Sequence, residues 1–118
     1  MTETWMHAML GAVDSMDASA FAAFFDAEGR MKYANGEFVV GPDGVRDFTN
    51  GFYQAIKGIR HRIVGTWELD GRTFCQGECT YTRRDDRAVT LPFFSITRRN
   101  GEKVAEYQVF MDANPVFA

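Results

Sequence analysis

Three stretches in the first half of the chain carry apolar residues at helical spacing. In residues 4–16 the apolar side chains that share one helical face are Trp5, Met9, Val13 and Met16. Residues 18–25 are rich in Ala and Phe and follow Asp17, a good N-cap residue, so they predict a short second helix that stops by Gly29. Residues 41–58 open with turn residues and end on a glycine, which predicts a third helix.

The other segments have the alternation that is typical of strands. Residues 30–40 alternate apolar and polar side chains around Asn35-Gly36, which predicts a hairpin with its turn at this dipeptide. Four longer β-branched and aromatic segments follow, parted by turn residues; they cover 61–69, 72–83, 88–98 and 103–111. Pro92 inside the third of them indicates an edge or a bulge. The order predicts an α+β fold in which helices cover one face of a bent, mainly antiparallel sheet.

Length and composition favour one domain with a substantial core. The chain has 118 residues, of which 46% are hydrophobic, and we expect residues 1–118 to fold as a unit. Eleven Phe exceed what such a core needs, so part of the aromatic surface is expected to line a cavity or a subunit contact. A net charge of -3 argues against nucleic acid as a partner, because phosphate binding needs concentrated Lys and Arg.

The sequence offers little to hold a metal or to reach a membrane. Cys75 and Cys79 belong to no closely spaced ligand set, and the two histidines lack ligand-spaced acidic partners, so we expect no metal and two free thiols. The first ten residues are too short and too acidic for a signal peptide, and no apolar run approaches a membrane span. These features predict a complete, cytoplasmic protein.

The order of elements, with particular motifs at their places, resembles the SnoaL-like, polyketide cyclase-type branch of the NTF2-like superfamily. The matching motifs are AVDSMDASAFAAFF, NGEFVVGPDGVRDF, His61 at the start of the first long strand, and GEKVAEYQVFMDANP. The resemblance implies a cone in which three N-terminal helices pack on a curved sheet and leave a hydrophobic pocket at one end. It also implies a homodimer formed through the sheet and cofactor-free acid/base chemistry on a hydrophobic carbonyl-type small molecule, such as isomerisation, cyclisation or hydration. Many similar proteins only bind a ligand, so the resemblance predicts the scaffold better than the reaction.

Asp112 allows two interpretations. Strand alternation places Gln108, Phe110 and Asp112 on one face of the last strand, and the more purely apolar Tyr107 and Val109 on the other. If the apolar face is the core, Asp112 is a solvated residue that caps the turn after the strand. The resemblance implies the opposite, since SnoaL-type cyclases have their acid/base Asp at the matching position, and desolvation there would raise its pKa towards neutrality.

Other candidates are His61 and two tyrosines. His61 points the same way as the apolar set of its strand, as either a catalyst or a satisfied core residue. Tyr33 and Tyr81 could each donate to a ligand carbonyl or only anchor a strand. Ketosteroid isomerase chemistry is not expected, because Tyr33 lies near the place of that family's catalytic base, and Met9 and Phe93 stand where its oxyanion-hole pair would be.

Two hypotheses follow. In the first, the protein is an enzyme whose catalytic residues are Asp112, His61 and Tyr33. The residues expected to contact its substrate are Met9, Phe52, Trp67, Tyr81, Phe93, Gln108 and Phe110. In the second, it is a noncatalytic ligand-binding or dimerisation module, with a cone that is either open to a ligand or plugged by Trp and Phe side chains.

Overall fold

A computed structural model describes residues 2–118. Four helices and six strands follow one another in this order: α1 (Thr2–Asp14), α2 (Ala18–Ala22), β1 (Phe25–Tyr33), β2 (Val39–Val40), α3 (Gly41–Tyr53), β3 (Ile56–Leu69), β4 (Arg72–Arg83), β5 (Ala88–Asn100), β6 (Lys103–Phe110) and α4 (Asn114–Phe117). In the described part of the chain, no helix has the length and apolar character needed to span a membrane.

The six strands form one curved sheet in the order β2-β1-β6-β5-β4-β3. The four long strands predicted from the sequence, β3 to β6, pair consecutively as an antiparallel meander, and the helices pack against one face of it. β1 lies parallel to β6, and β2 pairs with the outer edge of β1. The predicted α+β architecture of helices on a curved, mainly antiparallel sheet is confirmed.

The first two helices end earlier than predicted. α1 ends at Asp14 because the chain turns at Met16, which has a φ of 61°. Asp17 is the N-cap of α2, as expected: its carboxylate accepts a hydrogen bond of 3.0 Å from the N–H of Ala20. The helix then ends at Ala22, because the aromatic residues after it enter β1.

Strands begin earlier than the local pattern indicates. β1 starts at Phe25, and its pairing with β6 outweighs the helical propensity of the preceding alanines. β3 starts at Ile56, so the end of the expected third helix is extended instead. The predicted hairpin is present, but its loop is longer than two residues, since Met31 pairs with Val39.

The core lies between the inner face of the sheet and the helices. It is rich in aromatic and sulfur-containing side chains, and the largest fully buried ones include Tyr81, Met6 and Met9. α1 packs on β3, whereas α3 packs on β1 and α2. The two long helices therefore cover opposite sides of the same sheet face, α1 near the β3 edge and α3 near β1.

Gly77 of β4 gives the core room for an aromatic ring. A Cβ atom at this position would lie 2.8 Å from the ring of Phe93 on β5 and in severe overlap with the carbonyl oxygen of Arg62 on β3. Because both neighbours belong to paired strands, neither can move without disturbing the sheet.

We therefore expect Gly77→Ala to lower the free energy of unfolding by about 2 kcal/mol or more, through overpacking of the core. Gly11→Ala is the matched control, because Gly11 lies in α1 with open space at its Cβ position. The control should raise stability by about 0.5–1 kcal/mol. Urea denaturation followed by circular dichroism measures both, and equal effects of the two variants would contradict the packing argument.

Candidate functional site

A cavity of about 60 Å³ lies between the inner face of the sheet and the helices α1, α2 and α3. Its wall is largely aromatic; the rings come from Phe21, Tyr33, Phe48, Phe52, Tyr81 and Phe93, among others. This volume holds a few water molecules or a small organic molecule. A few polar groups interrupt the apolar wall, as is typical of sites for small ligands.

The charged group at the cavity is His61, which is held by Asp14. Its Nδ1 lies 2.5 Å from Oδ1 of Asp14, and its backbone N–H donates to Oδ2 of the same carboxylate at 2.8 Å. Asp14 is the last residue of α1 and His61 lies in β3, so this carboxylate joins helix to sheet. The side chain of His61 is 12% exposed and that of Asp14 24%. Because a carboxylate only accepts, the Nδ1 atom of His61 carries a hydrogen.

Opposing influences decide the protonation of His61. Burial disfavours its charged form, but the hydrogen bond with Asp14, the interaction with Cys79 and the attraction of the Asp14 carboxylate together outweigh burial and raise its pKa from 6.5 to about 9. His61 is therefore an imidazolium at neutral pH. The rings of His61 and Phe93 make a T-shaped contact, with centroids 5.3 Å apart.

Two phenol groups form a second polar feature of the cavity. The hydroxyls of Tyr33 and Tyr81 are 2.7 Å apart, and the Tyr81 hydroxyl also donates to the sulfur of Met111 at 3.5 Å. Burial raises the pKa of Tyr33 to about 12, and it raises the pKa of Tyr81 as well. Both phenols therefore keep their protons at neutral pH and remain hydrogen-bond donors.

The structure brings five of the residues expected at the site together around the cavity. Of the expected catalytic residues, His61 and Tyr33 line it. Of the expected substrate contacts, Phe52, Tyr81 and Phe93 line it.

The remaining candidates do not line this cavity. Asp112 is exposed, and its carboxylate accepts a 3.0 Å hydrogen bond from the N–H of Asn114, so it caps the turn after β6. Gln108 and Phe110 share the outer face of β6, and Trp67 is exposed on the outer side of β3. Met9 is fully buried, but it does not line the cavity.

The alternation of β6 explains why Gln108, Phe110 and Asp112 lie away from the cavity. Tyr107, Val109 and Met111 line the cavity, so the residues between them point away from it. The purely apolar face of this strand is the inner one, as the first interpretation of Asp112 had it.

Comparison with known proteins places the chain in a family. The profile of the SnoaL-like domain matches residues 6–107. The chain belongs to the SnoaL-like domain family. Among proteins with curated descriptions, none matches the sequence at a significant level.

Solved structures show that this SnoaL-like protein has the NTF2-like fold. A protein of ketosteroid isomerase-like fold from Catenulispora acidiphila, in complex with trimethylamine, has a TM-score of 0.86 and 15% identity over 93% of this chain and 86% of its own. TerC, co-crystallised with polyporic acid, has a TM-score of 0.85 and 14% identity over 98% and 95%. A candidate SnoaL-like polyketide cyclase from Shewanella putrefaciens has a TM-score of 0.83 and 11% identity over 96% and 90%. At these identities the likeness concerns the fold.

Sequence reasoning missed Asp14 and Cys79 of this SnoaL-like protein. Asp14 is separated from His61 by 47 residues, and it reads locally as a polar residue near a helix end. Cys79 pairs directly with His61 across β3 and β4 and lines the cavity. The proximity of Cys79 to His61 follows from the register of β3 and β4, and no local sequence pattern gives that register. Within residues 2–118, no cluster of three His, Cys, Asp or Glu side chains is arranged to hold a metal ion.

Asp14→Asn should lower the pKa of His61 clearly below about 9, because an amide still hydrogen-bonds the ring but does not stabilise its charge. The native pair should stabilise the fold fully below pH 6.5, and this contribution should be lost as the pH rises through about 9. NMR titration of the ring carbons of His61 measures the pKa, and urea denaturation across this range measures the stability. Equal titration of His61 in both proteins would contradict the assigned role of Asp14.

Proposed function

We propose that this SnoaL-like protein binds a small apolar carbonyl compound in the cavity and acts on it without a cofactor, with His61 as the proton donor. The observation that supports the proposal most strongly is the Asp14-held imidazolium in the wall of an aromatic cavity. A group with a perturbed pKa in such a cavity is a typical feature of a catalytic site.

The chemistry follows from what an imidazolium offers in an apolar surrounding. Because Asp14 occupies Nδ1, Nε2–H is the donor that His61 can offer to a ligand carbonyl oxygen, in exchange for its contact with the weakly accepting sulfur of Cys79. In a site of low polarity, such a donor stabilises negative charge that develops on this oxygen during reaction. Tyr33 adds a second donor if Tyr81 turns its hydroxyl from the sulfur of Met111 towards Tyr33.

The composition of the cavity wall also supports the alternative, a ligand-binding protein without catalysis. Among the described residues that line the cavity there is no Asp or Glu to act as a base. Proton abstraction from carbon would therefore depend on the minor neutral form of His61 or on water. Asp112 is not part of the proposal, since its carboxylate is exposed and engaged with Asn114.

The charge of His61 indicates which ligands suit the cavity. One structural neighbour is in complex with trimethylamine and another was co-crystallised with polyporic acid. In the present cavity a cationic amine would be repelled by the imidazolium, whereas an anionic or strongly accepting oxygen would be attracted. We therefore propose a ligand with a carbonyl, enolate or phenolate oxygen on a small apolar frame.

At pH 8, a value chosen so that 4-nitrophenol is ionised and His61 is still protonated, 4-nitrophenolate should bind at least about tenfold tighter than uncharged 4-cresol of similar shape. His61→Gln should remove this preference, whereas Asp112→Asn should preserve it. Isothermal titration calorimetry measures both affinities, with trimethylamine as the cationic comparison. Equal binding of the two phenols, or tighter binding of the amine, would sink the proposed ligand class.

Catalysis is tested separately, through exchange of the α-hydrogens of cyclohexanone with D₂O followed by NMR. Exchange that depends on His61 supports the enzyme. Phenolate binding without such exchange favours the binding protein.

We also propose that the protein forms a homodimer through the outer face of its sheet. An outer patch, defined here as Trp67, Phe74, Phe94, Ile96 and Phe110, runs across β3 to β6. The rings of Phe74 and Phe94 lie 6.0 Å apart, while Trp67 and Phe110 are 52% and 46% exposed. Exposed apolar surface of this kind is typical of an interaction site.

Ion pairs lie on both sides of the outer patch. Arg62 pairs with Glu78 at 2.8 Å on one side, and Glu106 pairs with Arg30 and Arg98 on the other. An apolar centre with a charged border suits a two-fold contact, in which the same surface serves both copies. The partner proposed for this face is therefore a second copy of the chain.

Phe94→Glu should convert a dimer into a monomer, because it places a carboxylate in the centre of the outer patch. Ala88→Glu is the matched control: it adds the same charge to the exposed start of β5, outside the patch. Size-exclusion chromatography with light scattering gives the mass of each protein. A monomeric wild type, or a dimer that persists in Phe94→Glu, would refute this interface.

A further inference from the structure

Cys79 is a thiol in the wall of the cavity, beside the charged histidine. It lies in the middle of β4 on the inner face of the sheet and is 1% exposed. Its register partner on β3 is His61, which places the two side chains on the same face, about 5 Å apart at their Cβ atoms. The sulfur therefore faces the interior space and not bulk solvent.

Asp14, His61 and Cys79 form a row in which each group acts on the next. The carboxylate of Asp14 holds Nδ1 of the imidazole, and Cys79 lies directly opposite His61 in the register of β3 and β4, so that its thiol adjoins the same ring. A nucleophile beside an acid/base group that is oriented by a third residue is the arrangement of covalent catalysis. This row is the independent observation that distinguishes Cys79 from an ordinary buried cysteine.

We propose that Cys79 captures small α,β-unsaturated carbonyl compounds covalently inside the cavity, with His61 as its proton-transfer partner. The aromatic wall suits the apolar frame of such a compound, and the imidazolium suits its carbonyl oxygen. Sulfur is the soft nucleophile of the site, and the β-carbon of a conjugated carbonyl is its natural target.

The addition is balanced without any further reactant. The sulfur forms a bond to the β-carbon, and the π electrons of the C=C bond move towards the carbonyl oxygen. The imidazolium of His61 gives a proton to the α-carbon, and the proton lost by the thiol replaces it on the ring. One C–S and one C–H bond form, one S–H bond and one C=C π bond break, and nothing is oxidised or reduced. This step requires neither a carboxylate base nor turnover, so it is independent of the proposed catalysis.

Cys75 provides a control within the same strand. It lies four residues before Cys79 on the same inner face and is fully buried, but it does not line the cavity. Burial, with a smaller effect of Glu3, raises the pKa of Cys75 to about 11. It has no histidine opposite, because its register partner on β3 is Thr66.

The experiment treats the folded wild-type protein with one equivalent of methyl vinyl ketone at neutral pH, then quenches samples over time. Intact-mass spectrometry and peptide mapping should find a single adduct on Cys79, with Cys75 unmodified. His61→Gln should slow the reaction at least about tenfold, Asp14→Asn should slow it less, and Cys75→Ser should leave it unchanged. An excess of 4-nitrophenol should protect Cys79 by filling the cavity.

Peptide mapping of the labelled wild-type protein tests whether Cys79 is the reactive cysteine, even if a variant folds poorly. Equal labelling of both cysteines, or labelling that appears only in denaturing urea, would show that Cys79 reacts through unfolding and would overturn the proposal. A rate that is unchanged in a folded His61→Gln protein would overturn the role of the histidine. Labelling of Cys79 without α-hydrogen exchange in cyclohexanone would support covalent capture while it contradicts acid/base turnover.

Discussion

The contact on which the site depends is the one between Asp14 and His61. A single carboxylate at the end of α1 accepts hydrogen bonds from both the backbone and the ring of a residue in β3. The contact attaches the end of the first helix to the sheet. It also keeps the His61 ring protonated in surroundings where burial alone would favour the neutral ring. The polarity of the cavity is therefore a result of how the helix layer is attached to the sheet.

Strand alternation determines most of what surrounds this contact. Along β4 and β5, residues that face inward line or support the cavity, whereas their neighbours build the outer patch. A shift of one residue in any strand would exchange the two surfaces. Irregular pairing in β3 near Ile63 and Gly65 lets one strand contribute His61 to the inner face and Trp67 to the outer patch. The cavity and the proposed dimer contact are thus two results of one register.

Local patterns predicted the sheet better than the site. The four long strands are predicted by β-branched and aromatic runs between turn residues, because such side chains pack well on the half-buried surface of a sheet. The start of β1 at Phe25 depends on pairing with β6, which is distant in sequence, so the alanine-rich stretch before it misled the helix prediction. The Asp14–His61 contact joins residues 47 apart, which no local spacing reveals. For Asp112 the residues themselves gave the right orientation, and the resemblance to cyclases suggested the other one.

The same imidazolium serves both proposed reactions, and the ligand decides between them. A simple ketone offers the ring an oxygen, so His61 donates a hydrogen bond and a proton can follow. A conjugated ketone offers this oxygen together with an electron-poor carbon, and Cys79 lies beside the donor to attack it. The charge on His61 favours both outcomes, since each places negative charge on the carbonyl oxygen in its transition state. The position of the ligand relative to β4 then determines whether the sulfur reaches the β-carbon.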